Sequence, residues 1–297
     1  MIVPWHLEKK LHHGWRDWFS RFLEGSSQKI NSDFKPLGLF YSISHWNALF
    51  APSLRGLFRQ FERINVKIIV LLFVFSLLLY IFFRSKHRRF SRAGIPLSII
   101  TTGFAGMIFD LMLIFTFQSM YGYVFSWIGL LVSSFMVGAA CGAILITRVM
   151  SRIKNCFRVF IKIDLAIICF SFGWPFMFLA VQAHLDSPDV FVFFKMLFLV
   201  IACICGLLIG SQFPLANRLY LRNTNDLSKT AGLIYASDLL GGWFGGIVGA
   251  VVLLPVFGLS GTCITVGLLK LTSFIVLTTQ PDGHGIYEEV NHERFFS

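Results

Sequence analysis

Apolar residues in this chain come in long, nearly unbroken runs, not in the alternating or 3.6-residue patterns of half-buried elements. Seven such runs follow residue 65, near Val66–Phe83, Ile95–Phe117, Val124–Thr147, Val159–Val181, Phe191–Phe213, Ala231–Pro255 and Leu259–Thr279. Each approaches or exceeds the roughly 20 residues a helix needs to cross the hydrocarbon core of a bilayer. The pattern predicts an all-α integral membrane protein, a polytopic bundle of about seven transmembrane helices. Only VFG (Val256–Gly258) separates the last two runs, which predicts a tight helical hairpin there.

Residues 1–65 are a different kind of sequence. They hold nine Lys/Arg and five Asp/Glu, with tryptophans at Trp5, Trp15, Trp18 and Trp46. Apolar residues recur at helical spacing in Leu11–Leu23 and Leu49–Ile64, and NSDFKP (Asn31–Pro36) reads as a turn. So little aliphatic content makes a poor independent core. The expected division is an amphipathic, partly irregular N-terminal tail (1–65), a transmembrane bundle (66–279) and a cytoplasmic C-terminal tail (280–297).

Composition strengthens the membrane reading: 56% of residues are hydrophobic and 14% charged, against roughly 25% charged in a soluble domain. The net charge of +11 would suit a nucleic-acid partner, but the basic residues fall in short runs between apolar spans. Arg84–Arg92 carries five positive charges, Arg148–Arg158 four, and Pro214–Thr230 three against one acid. The alternate loops, Gln118–Tyr123, Gln182–Asp189 and VFG, are neutral or acidic. By the positive-inside rule the basic loops and the C-terminus are cytoplasmic. The partner this implies is the lipid bilayer, no nucleic acid. The first span fits less simply. A full crossing puts residues 1–65 outside despite Arg55, Arg59, Arg63 and Lys67; otherwise Val66–Phe83 is re-entrant or the Arg84–Arg92 loop is translocated. The opening MIVPWHLEKK lacks the apolar core of a signal peptide.

Two acids interrupt the apolar runs: Asp110 in GFAGMIFDLMLIFTFQ and Asp238 in AGLIYASDLLGGWFGGIVGAVVLLP. A charge at a helix centre costs roughly 2.5–3.5 kcal/mol to insert, so such acids face a bundle interior, pair, or take a proton. Glycines surround both, which lets helix backbones approach closely. Asp110 and Gln118, eight residues apart, share roughly one face; they line a cation or proton site, or they fix packing by an interhelical hydrogen bond. Asp238, preceded by Tyr235 and Ser237, binds a cation or pairs with Lys229 or Arg218. The candidate ligand or ion path is Asp110, Gln118, Tyr235 and Asp238, with the two acids at different depths. They mark two levels of one path, not a catalytic dyad.

Asp164, beside Lys162 at the start of the fourth span, is expected to snorkel to the interface. Lys195 and Lys270 carry the same expectation, Lys270 being the deeper. GSQFPLANRLYL (Gly210–Leu221) predicts a helix stop and a cytoplasmic elbow at Pro214. The six cysteines form no framework and read as reduced thiols. There is no His-x-x-x-His, Cys-x-x-Cys, Walker or Gly-x-Ser-x-Gly sequence. No catalytic residue, cofactor or metal is therefore expected in this chain, and an enzyme acting alone is the least favoured class. The hint of an inverted repeat is a loose similarity between the GFAGMIFD and LIYASDLLGG regions.

Three segments carry a family resemblance: GFAGMIFDLMLIFTFQSMYGYVFSWIGLLVSSFMVGAACGA (Gly103–Ala143), GLLIGSQFPLANRLYL (Gly206–Leu221) and AGLIYASDLLGGWFGGIVGAVVLLPVFGL (Ala231–Leu259). They resemble the membrane region of bacterial fused permease/spermidine synthase-like proteins, in which helices flank or follow an aminopropyltransferase-like domain. INSDFKPLGLFYSISHW (Ile30–Trp46) resembles the segment joining that domain to its helices. The family often has Glu where this chain has Asp110. The resemblance implies a membrane module, related to a transferase, that anchors a catalytic partner domain or subunit and passes a polyamine or other cationic small molecule to or from it. The family's glycine-rich nucleoside loop and its amine-holding acids have no counterparts here, so no catalytic residue carries over. A stand-alone small-molecule permease or exporter and a structural scaffold are the alternatives.

Overall fold

The structure, a computed structural model, describes residues 17–18, 20–21, 94–121, 125–182, 188–224 and 226–279. Two compact units divide the chain, Met1–Ser32 and Asp33–Ser297. In the first, Asp17, Trp18, Ser20 and Arg21 are helical and exposed, and Arg21 Nε donates to the Asp17 carbonyl at 3.3 Å. The Val66–Phe83 run, the Asn31–Pro36 turn and the 280–297 tail lie outside the described residues.

The second unit contains six long helices among its described residues: α1 (Gly94–Tyr121), α2 (Phe125–Val149), α3 (Cys156–Gln182), α4 (Pro188–Thr224), α5 (Leu227–Val248) and α6 (Gly258–Thr278). A 3₁₀ turn, Met150–Arg152, follows α2, and a π-helical segment, Gly249–Phe257, joins α5 to α6. Among the described residues, four stretches are long and apolar enough to cross a membrane: Gly94–Tyr121, Phe125–Arg152, Phe194–Leu221 and the 52-residue Leu227–Thr278. The chain is an all-α, polytopic membrane bundle. The fourth stretch holds two helices, because Pro255 cannot donate to the helical ladder and Gly258 takes φ 67°, a region open to glycine at little cost.

The bundle is apolar outside as well as inside. Phe125, Met136, Val137, Ile144 and Leu145 on α2, Phe176 on α3, Val200 on α4 and Trp243, Phe244 and Ile247 on α5 are all exposed. Water would penalise such a belt, whereas lipid solvates it. By contrast α1 is largely buried, from Ile99 through Ile108, Phe109 and Met112 to Phe117.

The expected stop at Pro214 does not occur. Helix α4 continues through Pro214 to Thr224. The missing amide leaves one carbonyl a turn earlier without its ladder partner, which packed neighbours in a membrane bundle tolerate. Two helix starts are capped by side chains: Asn155 Oδ1 accepts from the Arg158 amide (3.1 Å), and Asp226 Oδ1 accepts from the Lys229 amide (3.1 Å). The backbone N–H of Lys229, and then its ammonium at 3.0 Å, hold the Asp226 carboxyl below its usual pKa of 3.8. A lowered folded-state pKa contributes stability that is complete above 3.8 and is lost as the pH falls through the lower folded value. Amide exchange in the first turn of α5 should therefore speed up, relative to α3, as the pH drops below about 4. In Asp226→Asn that acid-induced change should vanish; an unchanged pH profile in the variant would count against the cap.

Packing reveals an internal duplication. α2 packs most extensively on α4, and α1 on α5. At each contact a glycine meets backbone so closely that an added Cβ would lie under 3.0 Å from a carbonyl oxygen. Gly138 meets Cys203, Gly142 meets Leu207 and Gly206 meets Phe135; Gly241 meets Ile100, Gly245 meets Phe104 and Gly103 meets Asp238. Every partner in the second set lies 103 positions from its counterpart in the first. The same shift carries α1 onto α4, α2 onto α5 and α3 onto α6. It also aligns GLLVSSFMVGAACGAI (Gly129–Ile144) with GLIYASDLLGGWFGGI (Gly232–Ile247), identical at six of sixteen positions. Three helices per half is an odd number, so the second half enters the bundle with opposite polarity. Contacts agree: α1 and α4 run antiparallel (Gly106 beside Ile209, Thr102 beside Gln212), as do α3 and α6 (Asp164 beside Lys270, Ser171 beside Cys263). The described bundle is a pair of inverted three-helix repeats. The repeat equates α1 with α4, so the loose likeness of GFAGMIFD to LIYASDLLGG joins two helices that pack together, not two that correspond.

Candidate functional site

A cavity of about 470 Å³ lies between α1, α2, α4 and α5, where the two repeats meet. Asp110 and Asp238 both line it. The stripe Ile99, Thr102, Gly103, Gly106, Met107 and Asp110 forms its α1 wall, with spacings of three and four that hold one helical face inward. Asp238 lies across from Gly103, its Oδ1 2.9 Å from where a Cβ on that glycine would be. Seven residues separate Gly103 from Asp110, so the two acids sit about 10 Å apart along the helix axis. They occupy two levels of one cavity.

The walls are unequal. Under the 103-residue shift Asp110 corresponds to Phe213 and Asp238 to Phe135, and all four line the cavity. Of the two packed helix pairs that the repeat relates, α1 with α5 thus supplies both carboxylates, while α4 with α2 supplies both phenylalanines. Among the described residues, no Lys, Arg or His lines it. Asp110 is 8% exposed, and its Oδ1 has no hydrogen-bond partner among the described residues.

Gln118 and Tyr235 do not line the cavity. Eight residues at about 100° each leave Gln118 some 80° off the Asp110 face, and Tyr235 is 57% exposed on the outer side of α5. Nor does Asp238 pair with the two cations considered for it. Lys229 pairs with Asp226, and Arg218 Nη1 donates to the Met150 carbonyl.

Sequence reasoning missed the second polar centre. Asp164 and Lys270 are both fully buried and form an ion pair at 2.5 Å. They do not snorkel, because the antiparallel crossing of α3 and α6 brings them together in the interior. Lys270 Nζ also donates to Thr102 Oγ1 (2.7 Å), Gln212 Oε1 (3.4 Å) and the Ser98 carbonyl (3.4 Å). Gln212 Nε2 donates to Asp164 Oδ1 at 3.0 Å. Thr102 belongs to both centres: its hydroxyl accepts from Lys270, and the residue lines the cavity. Lys195 lies elsewhere, 5.2 Å from the Tyr121 ring centroid and 5.6 Å from that of Trp127. A 103-residue self-comparison of the sequence would have exposed the repeat, but no local signal marks Asp164 and Lys270 as partners.

All six cysteines are free, and no three His, Cys, Asp or Glu residues gather as metal ligands among the described residues. Comparison of the chain with family models, curated proteins and solved structures finds no match.

Proposed function

We propose that this membrane-embedded module is a permease for small cations, with the cavity between its repeats as the substrate site. The observation that carries this reading is the pair of acids, Asp110 and Asp238, at the seam of two inverted halves, in a cavity that no basic side chain lines among the described residues. Substrate sites of secondary transporters lie at such seams, and rocking of one half against the other alternates access to them. The volume suits a small organic ligand. Carboxylates offset an ammonium or inorganic cation, and the aromatic side chains of Phe135 and Phe213 line the same cavity.

The resemblance to spermidine synthase-like proteins supports an amine as cargo and a catalytic domain or subunit as partner; that link rests on the quoted motifs alone. A structural scaffold is the competing reading. Uptake of spermidine and of tetraethylammonium into vesicles reconstituted with the chain separates the two. Asp110→Asn together with Asp238→Asn should lower uptake at least tenfold while the protein elutes as wild type. Undiminished uptake in that variant would remove the cavity as the substrate site, and a change in stability alone would favour the scaffold.

A further inference from the structure

We infer that the cavity exchanges protons for its cation, which makes the module an antiporter instead of a uniporter. The inference rests on the permease reading and adds its coupling. A low-dielectric surrounding penalises any uncompensated charge that moves through it. Within the described bundle the buried or half-buried charged groups facing the two polar centres are Asp110, Asp238, Asp164 and Lys270. Lys270 and Asp164 neutralise each other at 2.5 Å, so Lys270 has no charge left to offset the cavity. On α4 the Cys205 thiol interacts with Asp110, Asp238 on α5 lines the same cavity at its other level, and the Lys270 ammonium of α6 meets the Thr102 hydroxyl about two turns from Asp110. The α2 wall is Phe135, Met136 and Ala139. None of these supplies a free cation.

Two negative charges therefore remain at membrane depth. Reorienting the empty cavity with both ionised would carry uncompensated charge through a low-dielectric seam. Each acid must hold a proton or a cation whenever the halves move. Empty, both carboxyls are protonated. A monovalent cation entering from one side displaces one proton: an O–H bond breaks at Asp110 or Asp238, and the proton leaves to the water on that side. The other acid keeps its proton, and the loaded cavity is again neutral. On the far side the cation departs and a proton from the water there re-forms the O–H bond. One cation crosses in one direction and one proton in the other, with no net charge moved. A divalent cation would displace both protons.

The test uses the full chain in proteoliposomes that trap a pH-sensitive dye, with tetraethylammonium as probe, since it has no exchangeable proton. With an acid interior, tetraethylammonium should enter and the interior should turn alkaline, one proton leaving per cation. Accumulation should approach about tenfold per unit of pH gradient, the free-energy equivalent of a tenfold concentration ratio. A voltage imposed with potassium and valinomycin should leave the rate unchanged. Folded Asp110→Asn/Asp238→Asn protein should show neither flux. Uptake that follows voltage and leaves the interior pH constant overturns the exchange while the permease stands. Absence of uptake by folded wild-type protein, for tetraethylammonium and rubidium alike, overturns both.

Discussion

Lys270→Ala should destabilise the bundle by about 3–5 kcal/mol, the usual cost of removing one partner from a buried ion pair. The reason lies in what remains. Among the described residues, Asp164 is fully buried, its Oδ2 already lacks a partner, and without the ammonium only Gln212 Nε2 donates to it. Thr102 and Gln212 lose the donor that ties α1 and α4 to α6. The double variant Asp164→Leu/Lys270→Met should recover most of the loss, because an apolar pair of similar volume carries no desolvation cost. Reversible unfolding in mixed micelles, followed by circular dichroism, gives both numbers. Equal stability of Lys270→Ala and wild type would sink the assignment of this pair as a structural tie between the repeats.

Gly206→Ala should also destabilise the bundle, although it adds a single methyl. That methyl would fall under 3.0 Å from the Phe135 carbonyl oxygen, a backbone atom that cannot rotate away. Helices α2 and α4 must separate, and the contacts that substitute for a hydrophobic driving force inside lipid are lost along the seam. The expected cost is about 1–3 kcal/mol, typical of overpacking, and more if the halves cannot shift. Gly241→Ala, at the corresponding seam of α1 and α5, should behave alike. Gly129 and Gly232, which also correspond under the repeat, have nothing within 4 Å of an added Cβ. Alanine at either should be neutral or raise stability by up to about 1 kcal/mol through helix propensity. Melting curves of the four variants in detergent make the comparison, and indistinguishable curves would contradict the close glycine contacts.

Legibility in the sequence followed the range of the interactions involved. Asp110 and Asp238 were visible as site candidates because an acid in an apolar run is anomalous on local grounds. Gln118 was grouped with Asp110 on periodicity, yet a difference of about 80° is enough to take it off the cavity wall. Asp164 looked interfacial because Lys162 lies two residues before it, and Lys162 is indeed exposed. Its true partner, Lys270, is 106 residues away on another helix. Pro214 read as a stop because a lone helix breaks there, whereas a packed one continues.

By itself the sequence determined that the chain is a helical membrane protein and that two acids, Asp110 and Asp238, fall within its apolar runs. Those features depend on the length of apolar runs set against bilayer thickness, a comparison that needs no knowledge of neighbours. Only the tertiary structure decided that the helices form inverted halves, that Asp110 and Asp238 share one cavity, and that Lys270 is spent on Asp164. Which helix faces which is set by backbone approach at glycines and by the pairing of rare buried charges. Both are contacts between residues about 60 to 140 positions apart, and no local pattern encodes them.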